Sequence, residues 1–268
     1  MIRKRLRLFI WALTLVFCAG TAWAVDPAPD SVPMTLLITM AEKIAKAPKF
    51  SVTMRMGYDV VQDNGQKIEF GEIRKIFLER PDKLRVEVLQ SNGDESGLVF
   101  DGENITQFSR THKVYGRLGF KGNLDSMVRY VVARLGTRVP LARMLVTTFP
   151  DEIERLSRDV VYVERDVLDV PMDHLAGRTD DVDYQVWIDD SGLPRRIVLT
   201  YVNAPGQPQF WARFTEWKLD PQFDPGTFSF SPPEGFEEVP FVIPVATSPS
   251  ESDDNGTGSA PKDQGGTS

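Results

Sequence analysis

The sequence predicts an α+β fold: one large, curved antiparallel sheet of about ten strands, with an N-terminal helix and a central helical lid on one face. Three observations predict it. Apolar and polar residues alternate with a period of two along two separate stretches, roughly 50–109 and 160–219. Short turns rich in Gly, Asn, Asp and Pro punctuate both stretches, and strands joined in that way pair antiparallel. Helix-periodic segments stand only before the first stretch and between the two.

Composition frames the rest. The 268 residues, 41% apolar and 26% charged, fall in the globular range. A net charge of −7 argues against a nucleic-acid partner, whose phosphates must be neutralised. Arg3, Lys4, Arg5 and Arg7, the apolar run from Leu8 to Cys18, and Ala22-Trp23-Ala24 read as an export signal cleaved after Ala24. The apolar run is too short for the roughly 20 residues of a membrane span. Cys18, the single cysteine, follows Phe17 where a lipoprotein signal needs a small residue, so lipid attachment there is not expected. Residues 25–244 form the folded domain, and the protein is expected to be periplasmic. Residues 245–268, rich in Ser, Gly, Asp, Pro and Thr, read as a disordered acidic tail.

Within the domain, Met34, Leu37, Ile38, Ala41, Ile44 and Ala45 recur at helical spacing until Pro48. Phe50, Val52, Met54, Met56, Tyr58 and Val60 then mark one face of a long strand. Strands follow at 68–79, 83–90, 97–101 and 104–109, separated by Asp63-Asn64-Gly65, Arg80-Pro81-Asp82, Asn92-Gly93 and Asp101-Gly102. Leu124, Met127, Val128, Val131 and Leu135 form a helical stripe, and Pro140 opens a second run through Leu141, Met144 and Leu145. A third short helix is expected at 150–156. The second set of strands covers 160–168, 172–178, 182–189, 195–201 and 209–219.

Several of these segments resemble the LolA/LolB type of lipoprotein-carrier fold. They are Arg80-Pro81 with Arg85, Val99-Phe100-Asp101-Gly102, Val186-Trp187-Ile188-Asp189 with Gly192-Leu193-Pro194, and Phe228-Ser229-Phe230 with Pro232-Pro233 and Gly235. Asp173-His174-Leu175-Ala176 resembles an uncharacterised periplasmic branch of that superfamily. The resemblance spans 34–240 and implies an unclosed half-barrel whose helices plug the concave side over a cavity for acyl chains. The segment 151–165 has no counterpart in it.

Ligand-binding expectations follow. Phe50, Val52, Met54, Met56 and Tyr58 on the first strand, with Met127, Val131, Leu141, Met144 and Leu145 facing them, line either a filled core or an acyl cavity. Arg80 and Arg85 are candidates for an anionic head group, with internal ion pairs to Glu79, Asp82 or Glu87 as the alternative. By the alternation count Trp187 has the opposite parity to Tyr184, Val186 and Ile188, so one of the two faces of that strand is expected to be amphipathic. With Trp211 and Trp217 it reads either as ordinary packing or as an aromatic patch for a partner.

Catalysis is not expected. His112 and His174 are the only histidines, and no Gly-x-Ser-x-Gly elbow is present to expose a nucleophile. Asp180, Asp181 and Asp183 lack the ladder of a calcium loop, so no metal site is expected, and no motif calls for a cofactor. The leading expectation is a non-enzymatic binder of a lipid or acylated ligand. The alternative is an envelope protein-interaction module with a filled core.

Overall fold

Helix α1 (Ser31–Lys46) leads into six strands: β1 (Lys49–Val61), β2 (Lys67–Glu79), β3 (Lys83–Gln90), β4 (Glu95–Phe100), β5 (Asn104–Ser109) and β6 (Val114–Gly119). Helix α2 (Leu124–Leu135), a 3₁₀ turn (Ala142–Leu145) and helix α3 (Phe149–Leu156) follow. The chain then forms β7 (Arg158–Asp166), β8 (Met172–Arg178), β9 (Val182–Asp189), β10 (Pro194–Tyr201), β11 (Gln209–Leu219) and the short β12 (Glu237–Glu238). This computed structural model describes residues 31–135 and 140–241; the expected export signal and tail lie outside them.

All twelve strands join one sheet in the order β12-β6-β5-β4-β3-β2-β1-β11-β10-β9-β8-β7. Every pairing is antiparallel except that of β12 with β6. The two meanders meet where β1 pairs with β11, for example Met54 opposite Phe214. The sheet remains open, with β7 at one edge and β12 at the other. Two strands exceed the expected ten. β6 has glycine at two of its six positions, Gly116 and Gly119, which removes the side chains whose alternation would mark it. β12 is only two residues long.

The concave face carries the core. One buried row runs across five strands through Phe50, Leu78, Leu84, Phe100 and Ile105. Helix α1 lays Leu37, Met40, Ala41 and Ile44 onto this face, each at most 2% exposed. Each of the three larger side chains contributes roughly 1.5–3 kcal/mol by leaving water. Helix α2 is capped reciprocally: Asn123 Oδ1 accepts from Ser126 N, and Ser126 Oγ accepts from Asn123 N. Its Met127 and Val128 are buried in the same core.

The convex face is partly covered by the chain after β11. Phe230 stacks on Phe108 at 4.7 Å, and Phe223 packs edge-on to Phe77. Phe108 in turn lies over Gly97, where an added Cβ would come within 2.5 Å of both the Phe108 ring and the Val86 carbonyl oxygen. The glycine is needed for that close approach.

Two polar anchors hold the helices to the sheet. Arg80 donates to the carbonyls of Ala47 (3.1 Å), Leu145 (3.0 Å) and Ile44 (3.5 Å), so one guanidinium ties the end of α1 to the 3₁₀ turn. Carbonyls at helix ends lack intrahelical donors, which is why a five-donor group suits this position. Burial lowers the Arg80 pKa, with Asp125 acting in the opposite sense. At the β9–β10 turn, the Asp189 carboxylate accepts from Ser191 N, Ser191 Oγ, Leu193 N and Arg195 Nε. Lys43 of α1 donates to the Ser191 carbonyl of that turn. Burial opposes ionisation of Asp189, but the donors from Ser191, Arg195 and Leu193 outweigh it and hold its pKa below the ordinary value.

Two outcomes follow from these anchors. Arg80→Ala should lower stability by about 2–3 kcal/mol, as expected for charged hydrogen bonds lost to part-buried carbonyls. In urea titration the midpoint should fall with the slope unchanged, and a shift equivalent to less than about 0.5 kcal/mol would contradict the anchoring role. Asp189→Asn should cost about 1–3 kcal/mol at neutral pH. Because the folded-state pKa is depressed, the wild-type advantage is complete above the ordinary carboxylate pKa of about 3.9 and fades as pH falls below it. Equal losses at pH 7 and at pH 2–3 (an interval of about this size below that pKa) would contradict the assignment.

Candidate functional site

Where the helices leave the concave sheet incompletely filled, two neighbouring cavities open. The larger, about 630 Å³, lies between α1, α3 and the inner faces of β9 and β10. Leu37 and Met40 come from α1, Ile153 and Leu156 from α3, and Val186, Ile197 and Leu199 from the sheet. Strand parity explains the sheet wall: Tyr184 and Val186 of β9 and Ile197 and Leu199 of β10 alternate inward and stand directly opposite one another. The smaller cavity, about 110 Å³, lies over β1 to β3 and β11.

Pro140, Leu141, Ala142 and Met144 line both cavities and stand between them. Leu141, at the start of the 3₁₀ turn, holds a left-handed backbone (φ 64°), a strained conformation for a bulky residue.

Polar groups sit at defined places around the larger cavity. Exposed Arg143, Asp180 and Asp181 form its rim. Arg143 pairs with Glu152 at 2.6 Å, Asp180 with Arg158 at 3.2 Å, and Asp181 accepts from Asn203 at 2.9 Å. Deeper in the wall stand the hydroxyls of Ser157 and Tyr184, both buried and neither completing a hydrogen bond. Burial raises the Tyr184 pKa, and its contact with Ser157 works the other way. The result is an aliphatic cleft with a charged rim and two polar points in its wall. Its volume falls within the roughly 300–1,000 Å³ typical of small-molecule sites.

The structure distributes the sequence candidates unevenly. Phe50, Val52, Met54 and Leu145 line the smaller cavity, and Leu141 and Met144 line both. Met56 and Met127 are buried in solid core, and Val131 packs against it without reaching either cavity. Tyr58 lies outside both: it is 39% exposed and stacks on Phe70 of β2 at 6.1 Å. Parity alone pointed it inward, but β1 is long enough to run beyond the cover of the helices.

The two arginines also lie elsewhere. Arg80 spends its donors on main-chain carbonyls rather than on Glu79 or Asp82. Arg85 is on the convex face, bonded to Glu87 at 2.9–3.0 Å and to the carbonyls of Thr227 and Ser229. It straps the C-terminal segment to the sheet. The Glu87 carboxyl is opposed by its burial but held ionised, its pKa lowered, by Arg85 and Arg110.

Sequence reasoning missed the wall formed by α3, β9 and β10, and it missed one ion pair. Glu72 and Arg74 occupy inward positions of β2 between Phe70 and Ile76 and pair at 2.6 Å. Glu72 is only 9% exposed, and Arg74 lines the smaller cavity with its Nε unpartnered. The signal was present in the sequence as two charges in an otherwise apolar alternation.

Neither histidine joins the cavities. His174 is on the convex face, stacked on Trp187 at 4.0 Å with Nε2 against Gln185 Oε1. His112 contacts Ser109 at an exposed turn. Among the described residues no group of three or more His, Cys, Asp and Glu is placed to hold a metal ion. No described helix is long and apolar enough to cross a membrane.

Comparison with known proteins finds solved structures of low sequence similarity. An uncharacterised conserved protein from Thermus thermophilus is similar over 77% of this chain and 99% of its own, at 9% identity and TM-score 0.45. MucB of Pseudomonas aeruginosa, in its complex with MucA, is 17% identical at TM-score 0.39; the match covers 74% of this chain and 61% of MucB. The LolA superfamily protein NE2245 from Nitrosomonas europaea is 10% identical at TM-score 0.37, over 73% of this chain and 96% of its own. No curated protein matches the sequence. The family described as "Predicted periplasmic protein (DUF2092)" matches residues 34–242, nearly the whole of the described sheet and its helices. On that match the chain belongs to the DUF2092 family of predicted periplasmic proteins.

Proposed function

We propose that this is a periplasmic, non-enzymatic binding protein that holds a lipid or acylated ligand in the cavity between α1, α3 and strands β9 and β10. The observation that carries the reading is the 630 Å³ space itself, walled by Leu37, Met40, Ile153, Leu156, Ile197 and Leu199. Binding would work by withdrawing acyl chain from water, worth about 0.8 kcal/mol per methylene. The charged rim at Arg143, Asp180 and Asp181 keeps a polar head at the surface while the chain lies inside. Met144 and Leu141, shared by both cavities, let a longer chain extend toward Met54 and Phe214 by a small displacement.

A second reading, recruitment of an envelope protein, is favoured by one observation. Edge strand β7 and the turn after it expose Val161, Val163 and Leu168, the last at 96%. An uncovered edge with apolar side chains invites strand addition.

Protein purified from its native envelope should carry lipid detectable by native mass spectrometry and extraction. Leu199→Trp, which fills the larger cavity with an indole, should reduce that lipid and the uptake of a fluorescent fatty acid at least tenfold, about 1.4 kcal/mol. Thermal stability should be retained. Wild-type protein that is folded, empty and unable to take up the fatty acid would overturn the proposal.

A further inference from the structure

The convex face carries an unbalanced row of cations that the cavity does not explain. Register places Trp187 of β9 opposite Arg196 of β10, Arg196 opposite Arg213 of β11, and Arg213 opposite Arg55 of β1. The row continues through Ile73 of β2 to Leu89 of β3. Residues directly opposite on one face stand about 4.5–5.5 Å apart at Cβ, and like charges so placed destabilise a sheet. Three adjacent strands therefore hold three guanidinium groups side by side.

Internal partners do not offset them. Among the described residues Arg55 and Arg213 have no ion pair and no hydrogen bond. Arg196 lies over the Trp187 ring at 4.6 Å, and its buried Nε has no acceptor. The nearby acids on the same face are engaged elsewhere: Glu69 with Trp211 Nε1, Asp59 with Gln209 N, Glu216 with Thr53 Oγ1, Glu87 with Arg85 and Arg110, and Asp189 with Arg195. Lys75, one position beyond Ile73 on the same face of β2, is exposed and adds a fourth cation opposite Glu87, whose carboxylate pairs with Arg85 and Arg110. At the other end of the row Ile73 and Leu89 are 37% and 43% exposed.

We propose that this row is a docking surface for an acidic peptide segment of a partner protein, lying across the strands rather than along them. From β9 to β3 the row crosses five strand spacings, about 24 Å, which an extended segment of about seven residues covers. Its carboxylates fit bidentately over Arg196, Arg213 and Arg55, and one or two apolar residues cover Ile73 and Leu89. A narrow peptide fits this row better than an anionic bilayer does. A plane would meet the flanking Glu69, Asp59 and Glu216 as well, on a chain whose net charge is already −7.

The test uses two fluorescein-labelled octapeptides, one alternating Glu and Ser and ending in Leu-Leu, the other with Gln in place of Glu, titrated by anisotropy against the envelope-purified protein at low ionic strength. The Glu peptide should bind at least tenfold more tightly than the Gln peptide, and added salt should weaken it. Arg55→Glu/Arg213→Glu should lose at least tenfold in affinity. Arg55→Glu alone, which sets a carboxylate opposite Arg213, should raise the melting temperature, a readout independent of any peptide. Equal binding of the two peptides, unchanged binding by the double variant, or association with phosphatidylglycerol vesicles but not with the Glu peptide would overturn the proposal. Carbodiimide coupling of Lys75 to Glu251, Asp253 or Asp254 within one chain would also overturn it, by assigning the row to the protein's own acidic segment.

Discussion

The antiparallel pairing of β1 with β11 joins residues 49–61 to residues 209–219 and turns two separate meanders into one continuous surface. Closing so long a stretch of chain costs entropy, and the burial of Phe50, Met54, Met56, Phe210, Ala212 and Phe214 along the seam offsets it. Only because this seam exists do β9 and β10 stand beside the strands that α1 covers. The larger cavity depends on that adjacency, since α1 and α3 roof strands that come from the second meander.

The roof stays in place through the buried face of α1 in the concave core and several specific polar ties. Arg80 joins α1 to the 3₁₀ turn, Lys43 joins α1 to the β9–β10 turn, and Asp125 receives both the amide and the hydroxyl of Thr147. Such ties fix position as well as adding stability. They leave the apolar surface between roof and sheet imperfectly filled, and a space of this size persists only where surrounding elements are held apart. The same logic explains why Arg80, at a conspicuous Arg-Pro step, serves geometry rather than a ligand.

A sheet with one face under helices usually leaves the other to solvent, but here the convex side has two covered zones and one bare one. The C-terminal segment covers β2 to β6 through Phe223, Phe228 and Phe230, held by Arg85. Trp187 is covered by its own neighbours, His174 on β8 and Arg196 on β10, and is 7% exposed. Between these zones lie Arg213 and Arg55, with nothing over them among the described residues. The two faces therefore differ: an apolar space on the concave side and a cationic row on the convex one.

Local alternation was enough to determine most strands, the three helical segments and the inward face of β1, because periods of two and of 3.6 residues depend only on near neighbours. It could also have exposed Glu72 and Arg74, two charges in the inward register of β2. The sequence could not show that Tyr58, in perfect phase with Phe50 to Met56, runs past the roof into solvent, because phase carries no information about how far a covering helix reaches. Nor could it show β6, whose glycines hide its alternation, or β12. Which strands become neighbours is a long-range choice made by packing, and that choice alone set Arg196, Arg213 and Arg55 in one row and put α3 over β9 and β10. The residues that make this protein a half-barrel were readable one strand at a time; the space it encloses and the charge it displays arose only when distant strands were brought side by side.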